Sequence, residues 1–169
     1  DAPARALLRI GVTKIVPDIV DVRVGQLADH LIVEFEHRAA DGGTYWVPAH
    51  RESDGTLRAV VLLTALLQDP APALIGIEEP ELAVHVHVLP VLVDFIESAA
   101  RRVPVVLSTH SPDLIDHVPL PSVRVVERTE DGTRVVALAD DQRRAIVKHL
   151  ATAGDLLREE GLRAEAPGG

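Results

Sequence analysis

The sequence predicts an α/β fold with a short parallel core, and three observations support this prediction. Hydrophobic residues make up 47% of the 169 residues but aromatic residues only 2%, so the core is aliphatic, as under a helix-covered parallel sheet. Two short apolar runs, at residues 73–77 and 104–109, have the composition of buried parallel strands. Each run follows a longer apolar segment that predicts a helix.

The first third of the chain predicts an antiparallel β layer. Residues 1–16 carry a weak helical pattern that stops at a proline. Residues 19–24 and 31–37 alternate apolar and polar side chains, as half-buried strands do. The turn ADGG then leads into residues 44–48, which predict the returning strand of a hairpin.

The middle of the chain predicts the helices that cover the parallel core. A helix over 53–69 begins at the N-cap candidate Ser53, and a second helix over 86–102 tolerates Pro90 near its first turn. The remaining predicted elements are a short helix at 111–118, hairpin strands at 122–128 and 133–139, helices at 140–151 and 154–162, and a disordered tail at 164–169. We therefore expect one domain over 1–163, made of a β layer (1–50), a core (53–118) and a hairpin with terminal helices (119–163).

Composition and charge exclude several classes of function. The formal charge of −9 argues against a basic nucleic-acid footprint over the whole domain. No apolar run reaches the roughly 18 residues of a membrane span, and the absence of cysteine excludes disulfides and thiolate metal sites, which fits a cytoplasmic protein. Because the sequence starts at Asp1 and contains no methionine, we expect it to be part of a longer or processed protein.

The stretch LIGIEEPE places two acids at the end of an aliphatic strand. In open α/β proteins, ligands bind at the carboxyl edge of the sheet. In phosphoryl transfer, the first acid of such a pair, here Glu78, holds Mg²⁺, and the next, Glu79, orients or deprotonates the attacking water. The alternative is a solvated loop whose charges are stabilised by a helix dipole.

Two further segments place polar residues where a core element ends. His110 follows the second apolar strand, where an imidazole can hydrogen-bond a terminal phosphate; the alternative is a histidine satisfied by the backbone. Ser53, Gly55 and Thr56 open a helix whose exposed N–H groups and dipole suit a phosphate; the alternative is an ordinary helix cap.

These segments occur in the order SDGTLR, LIGIEEPE, ELAVH and LSTHSPDLID, and as a set they resemble the C-terminal part of an ABC-type ATPase head of the RecF/SMC/OLD-like class. The resemblance covers residues 53–118. It implies a partial P-loop NTPase fold with parallel core strands, helices on both faces and an N-terminal antiparallel β layer. It also implies ATP and Mg²⁺ as cofactors and a homodimer formed through the signature and D-loop face.

The resemblance assigns roles to individual residues. The metal ligand is Glu78, the catalytic residues are Glu79 as base and His110 at the γ-phosphate, and the residues facing ATP on a partner protomer or crossing the interface are Ser53, Gly55, Thr56 and His85.

Three departures from the family pattern bear on activity. Glu78 stands where aspartate is usual, and Val86 stands where proline is frequent. More important, nothing matches G-x-x-x-x-G-K-[ST], because neither Lys14 nor Lys148 lies in a glycine-rich loop. We therefore expect an ATPase head that lacks its N-terminal P-loop lobe and is inactive alone.

Three other interpretations remain open on the sequence alone. One is a degenerate, non-catalytic module for dimerisation or partner binding. A second is a metal-dependent hydrolase built on His85 and His87, with Glu79, Glu81 and His110 nearby. However, His85 and His87 are two apart at a helix entrance and should diverge. Finally, the assembled protein could bind DNA through a basic groove formed by Arg101, Arg102, Arg143 and Arg144.

Overall fold

The computed structural model describes residues 2–165 and divides between Ser108 and Thr109 into two compact units. The first unit contains α1 (Ala2–Ile15), β1 (Ile19–Leu27), β2 (His30–Arg38), β3 (Thr44–Pro48), α2 (Asp54–Leu66), β4 (Ile75–Glu78), α3 (Leu89–Ala100) and β5 (Val105–Ser108). The second contains α4 (Pro112–Ile115), β6 (Val125–Thr129), β7 (Gly132–Val136), α5 (Asp140–Val147) and α6 (Ala153–Glu159).

The predicted antiparallel layer is present as the sheet β1–β2–β3. Its first two strands are nine residues long, longer than the alternating pattern predicted, because pairing continues to a tight turn at Ala28. One face carries the fully buried Phe35, opposite Val22. This face packs against α1 and α2 in an apolar cluster that contains Val12, Ile15, Ile19, Val22, Phe35, Ala59 and Leu63.

The parallel core is the strand pair β4–β5, in which Ile75 lies opposite Val105 and Glu78 opposite Ser108. The apolar face of this pair packs against α2 and α3 in a second cluster, to which Leu66, Ile75, Leu92, Ile96, Ala99 and Val103 contribute. A wholly buried β4 was expected, but Gly76 and Val106 are exposed on the opposite face. Within the described residues of this unit, the helices therefore cover one face of the pair.

The second unit is built around a small apolar cluster of Ile115, Val123 and Ala153. Helix α4 packs against α6, and β6 pairs with β7 as the predicted hairpin. The tail was predicted to be disordered from residue 164, but Ala164 forms an antiparallel bridge with Leu138, and Glu165 N–H donates to the carbonyl of Ala137. The rest of that tail, residues 166–169, lies outside the described residues.

Candidate functional site

The carboxyl ends of β4 and β5 lie side by side. Glu78, the last residue of β4, is the register partner of Ser108, the last residue of β5. The pairing continues one residue further, because the backbone N–H of Glu79 donates to the carbonyl of Ser108 at 2.9 Å. Glu78 has an exposed side chain and Glu79 a half-buried one. The first unit therefore fixes both predicted acids at one edge of the parallel pair.

Glu79 has a strained backbone. Its φ of 45° and ψ of 55° place it in the left-handed region, which costs a residue with a Cβ roughly 1–2 kcal/mol. The following Pro80 begins a 3₁₀ turn over Pro80–Ala83 and itself disfavours α-type conformations at the preceding residue. Strain of this kind concentrates at functional sites, where the surrounding structure holds a side chain in one required direction.

The helix α2 begins at the predicted cap. Ser53 Oγ accepts a hydrogen bond from Thr56 N at 3.1 Å and lies 2.9 Å from Thr56 Oγ1. Ser53 is exposed and Gly55 half-buried, whereas Thr56 is only 6% exposed. Of these three predicted residues, Ser53 is therefore the exposed one, and its hydroxyl contacts both the backbone N–H and the hydroxyl of the buried Thr56.

His85 and His87 do not diverge as the sequence suggested. Both are exposed, and their rings stack with centroids 5.7 Å apart and an interplanar angle of 10°. His85 is extended and precedes a 3₁₀ turn over Val86–Val88, so the spacing differs from that at an α-helix entrance. Within residues 2–165, no group of three or more histidine and acidic side chains is placed to hold a metal ion, so the described geometry does not favour a histidine-based metal centre.

His110 lies two residues beyond the end of β5, at the start of the second unit. It is exposed, and the turn around it is ordered by two hydrogen bonds. Ser111 N–H donates to Thr109 Oγ1 at 2.9 Å, and Ser111 Oγ accepts from Leu114 N at 3.2 Å as the N-cap of α4. A pocket shared by Glu79 and His110 stays a prediction.

One contact near the site has no signal in the sequence. His37 on β2 lies 2.6 Å from Glu52, measured between Nε2 and Oε1, and Glu52 directly precedes the cap residue Ser53. Fifteen residues separate the two side chains along the chain. The strand pattern around His37 indicated only a half-buried position, so the pairing could be found only from the fold.

The side chains present fit part of a magnesium–nucleotide site. Carboxylate oxygens such as those of Glu78 and Glu79 are the donors that Mg²⁺ prefers, and the start of α2 is suited to a phosphate. The site lacks a lysine in a glycine-rich loop, the group that contacts the β- and γ-phosphates in P-loop proteins. No helix among the described residues is long and apolar enough to cross a membrane.

The sequence matches a known family over more than half of its length. Residues 13–116 match the family model described as "AAA domain, putative AbiEii toxin, Type IV TA system". The matched range includes the predicted site residues from Ser53 to His110. No curated protein matches the chain.

Solved structures with a similar fold include SMC ATPases and Smc head domains. One, from work described as "Structural biochemistry of ATP-driven dimerization and DNA stimulated activation of SMC ATPases", has a TM-score of 0.57 and 12% identity, covering 88% of this chain and 93% of that chain. The Smc head domain with a coiled coil and joint from Pyrococcus yayanosii has a TM-score of 0.58 and 15% identity. The match covers 87% of this chain and 29% of that chain. The Smc head bound to the C-winged helix domain of ScpA has a TM-score of 0.62 and 14% identity. The match covers 85% of this chain and 44% of that chain.

These likenesses confirm the fold class predicted from the sequence, a mixed α/β fold consistent with part of a P-loop NTPase. Identities of this size establish the fold alone. The chain spans less than half of the latter two proteins.

Proposed function

The chain belongs to the family described as an AAA domain, and on that premise we propose that it is an ABC-type ATPase domain that supplies one half of a composite site for MgATP hydrolysis. The P-loop, which no part of the sequence matches, comes from another polypeptide segment. ATP held by that segment is closed in by a second copy of this chain.

The observation that carries this proposal is the geometry at the end of β4. Two acids follow a strand whose end is locked to β5 by the Glu78–Ser108 register and the Glu79 N–H to Ser108 hydrogen bond. Glu79 keeps a left-handed conformation despite its cost. A fixed backbone at Glu79 would give a catalytic base a constant direction toward its water.

The roles of the side chains follow from their chemistry. A bound Mg²⁺ neutralises charge on the phosphates, and Glu78 helps to hold it, directly or through water. Glu79 accepts a proton from the attacking water. His110 donates a hydrogen bond to the γ-phosphate. The hydroxyl of Ser53 and the first-turn N–H groups of α2, near Gly55, meet the γ-phosphate of ATP bound on the partner protomer.

Exposed apolar residues near His85 support a second copy of this chain as the proposed partner. The exposed apolar residues Leu82 and Val86, at 64% and 57% exposure, flank His85 and suit contact with a second copy. DNA binding by the chain alone is disfavoured by the charge of −9. Two of the four arginines of the expected basic groove already have structural partners, since Arg102 donates to the carbonyl of Leu66 and Arg143 pairs with Asp140.

The test is to assemble the chain with the P-loop segment of its parent protein and to measure ATP turnover. We expect turnover in the assembly and none in the isolated chain. Glu79→Gln keeps the size of the side chain but removes the base, so turnover should fall by about a hundredfold or more while ATP-bound dimers accumulate on size-exclusion chromatography. Glu130→Gln, in the exposed β6–β7 turn, is the matched control.

Two outcomes would contradict the proposal in different ways. Wild-type turnover in Glu79→Gln would show that the base is another group. If the assembly neither bound nor hydrolysed ATP, a non-catalytic dimerisation or partner-binding module would be the better interpretation.

A further inference from the structure

The contact between His37 and Glu52 joins the antiparallel layer to the start of α2. Because a carboxylate oxygen accepts hydrogen bonds, Nε2 of His37 is the donor to Oε1 of Glu52, across 2.6 Å. The Glu52 side chain is only 7% exposed and that of His37 17% exposed. A carboxylate at this depth depends on its partner, because no bulk water replaces a lost hydrogen bond.

Further contacts hold both His37 and Glu52 in place. The ring of His37 stacks on Tyr45, its register partner on β3, with centroids 5.7 Å apart. The backbone N–H of Glu52 donates to the carbonyl of Ala49 at 3.0 Å, which closes a 3₁₀ turn over Ala49–Arg51. Glu52 is therefore fixed through its backbone by this turn and through its side chain by β2.

Glu52 sits one residue before the cap that faces the proposed phosphate. Ser53 is extended, and its direction into α2 is set by the residue before it and by its own hydrogen bonds to Thr56. Tying the Glu52 carboxylate to His37 fixes the chain entering Ser53. It also directs a negative charge toward the β layer. A carboxylate free to swing toward the start of α2 would repel a phosphate there.

We propose that His37 and Glu52 are positioning residues that hold Ser53 and the first turn of α2 in the orientation needed to meet the γ-phosphate. This inference rests on the proposed function. It extends the site into the antiparallel layer, more than a dozen residues upstream of Ser53 in the sequence. Neither side chain touches the nucleotide; both act through Ser53.

Loss of the His37–Glu52 pair should affect kcat and the KM for ATP differently. ATP is bound by the P-loop segment, whereas Ser53 meets it from the partner protomer. Loss of the pair should therefore lower kcat by about tenfold to a hundredfold, as small misplacements of catalytic groups do, while the KM for ATP stays within about threefold.

Four variants separate positioning from simple stabilisation. His37→Leu leaves a buried carboxylate without its donor. The double variant H37L/E52L removes both polar groups and should recover most of the lost thermal stability, because two matched apolar side chains replace the pair. His37→Gln keeps an N–H donor for Glu52. Arg23→Ala removes the Arg23–Glu34 ion pair of the same layer, whose side chains are 43% and 18% exposed, and is the control.

The first measurement uses the 169-residue chain itself. We expect hydrogen exchange of the amides at 53–57 to be about tenfold faster in H37L and in H37L/E52L, and unchanged in H37Q and R23A. The second measurement is kcat in the assembly with the P-loop segment. Here we expect low kcat in H37L and in the double variant, and kcat within about threefold of wild type in H37Q and R23A.

The kcat of H37L/E52L distinguishes a positioning role of the pair from a purely structural one. If its kcat recovers together with its thermal stability, the pair is only structural and the inference is wrong. Unchanged exchange at 53–57 in H37L would also overturn it. These results are distinguishable from failure of the proposed function, which Glu79→Gln tests separately and which does not alter the exchange rates in the isolated chain.

Discussion

The interior of each unit is stabilised by a different kind of interaction. The first contains all four aromatic residues, and its apolar clusters include fully buried side chains such as Phe35, Leu63 and Leu92. The second has a smaller apolar cluster, and polar contacts join its elements. Ion pairs among its described residues include Glu127–Arg134, Asp140–Arg143, Asp113–Arg158, Asp155–Arg158, Asp141–Arg163 and Glu160–Arg163.

The difference shows how each unit is expected to respond to its surroundings. Burial of apolar surface does not depend on charge screening or on titration, so the apolar clusters of the first unit should be governed by packing. Ion pairs between exposed side chains contribute little each and are screened by salt. Buried polar contacts in the second unit are screened much less by salt than these exposed ion pairs. The carboxamide of Gln142, only 2% exposed, donates to Glu160 and to the carbonyl of Gly161 and accepts from Arg163 N.

The largest expected effect is in the core of the first unit. Leu63→Ala should lower the free energy of unfolding by about 2–5 kcal/mol, because Leu63 is fully buried and packs against Gly11 and α1. Urea unfolding followed by the fluorescence of Trp46, the sole tryptophan and a residue of this unit, measures the change. Val61→Ala on the same helix, at 68% exposure, is the control and should stay within about 0.5 kcal/mol. Equal losses in both variants would contradict packing control of this unit.

A smaller effect is expected where two helices of the second unit meet. A Cβ on Gly154 would lie 2.5 Å from both the carbonyl oxygen of Pro112 and Oδ2 of Asp116. Alanine is normally the better helix former by about 1 kcal/mol, so the sign of the effect is informative. We expect Gly154→Ala to destabilise α4 and α6 by about 1–3 kcal/mol, seen as faster hydrogen exchange of both helices. Gly76→Ala, with no atom within 4 Å of the added Cβ, is the control. Slower exchange in Gly154→Ala would disprove the close approach.

Much of the fold could be predicted because the apolar patterns are local. The alternation in 19–24 and 31–37 and the short aliphatic runs at 73–77 and 104–109 each predicted a strand at the right place. The exposed face of β4 and β5 could not be predicted, since Gly76 and Val106 read as interior residues of a covered sheet. The order at Ala164 was also missed, because it depends on pairing with Leu138, 26 residues earlier.

The positions of the predicted site residues at element ends could be anticipated, whereas the contacts that hold them could not, and their chemical roles stay predictions. The acids Glu78 and Glu79 and the cap at Ser53 follow from residue types and spacing, and the first unit places the acids at one strand edge and the cap at the start of α2. The left-handed backbone of Glu79 and the pairing of His37 with Glu52 depend on contacts between residues distant in the chain. Such contacts produce no periodic pattern in the sequence.

The smallest expected effect is a pH dependence in the second unit. The backbone N–H of Thr152 donates to Oδ2 of Asp155, and the Thr152 hydroxyl accepts from the Asp155 backbone N–H, in a capping box at the start of α6. The hydrogen bonds with Thr152 lower the pKa of Asp155 below the ordinary value for aspartate. The Arg163 guanidinium lowers the pKa of Asp141 in the same direction. A carboxyl group with a depressed pKa in the folded state stabilises the fold above its unfolded pKa, and that contribution is lost as pH falls through the folded value.

We therefore expect the stability of α6 to decrease as pH falls below about 4, and Asp155→Asn to show a weaker pH dependence. Asparagine keeps an oxygen that accepts from Thr152 N but does not titrate, so the variant separates the charge from the hydrogen bond. Brief pepsin digestion at decreasing pH, with cleavage sites located by mass spectrometry, measures the opening of residues 152–160. Asp131→Asn, in the exposed β6–β7 turn, is the matched control. The same acid response in Asp155→Asn as in the wild type would show that another group governs the acid sensitivity of the second unit.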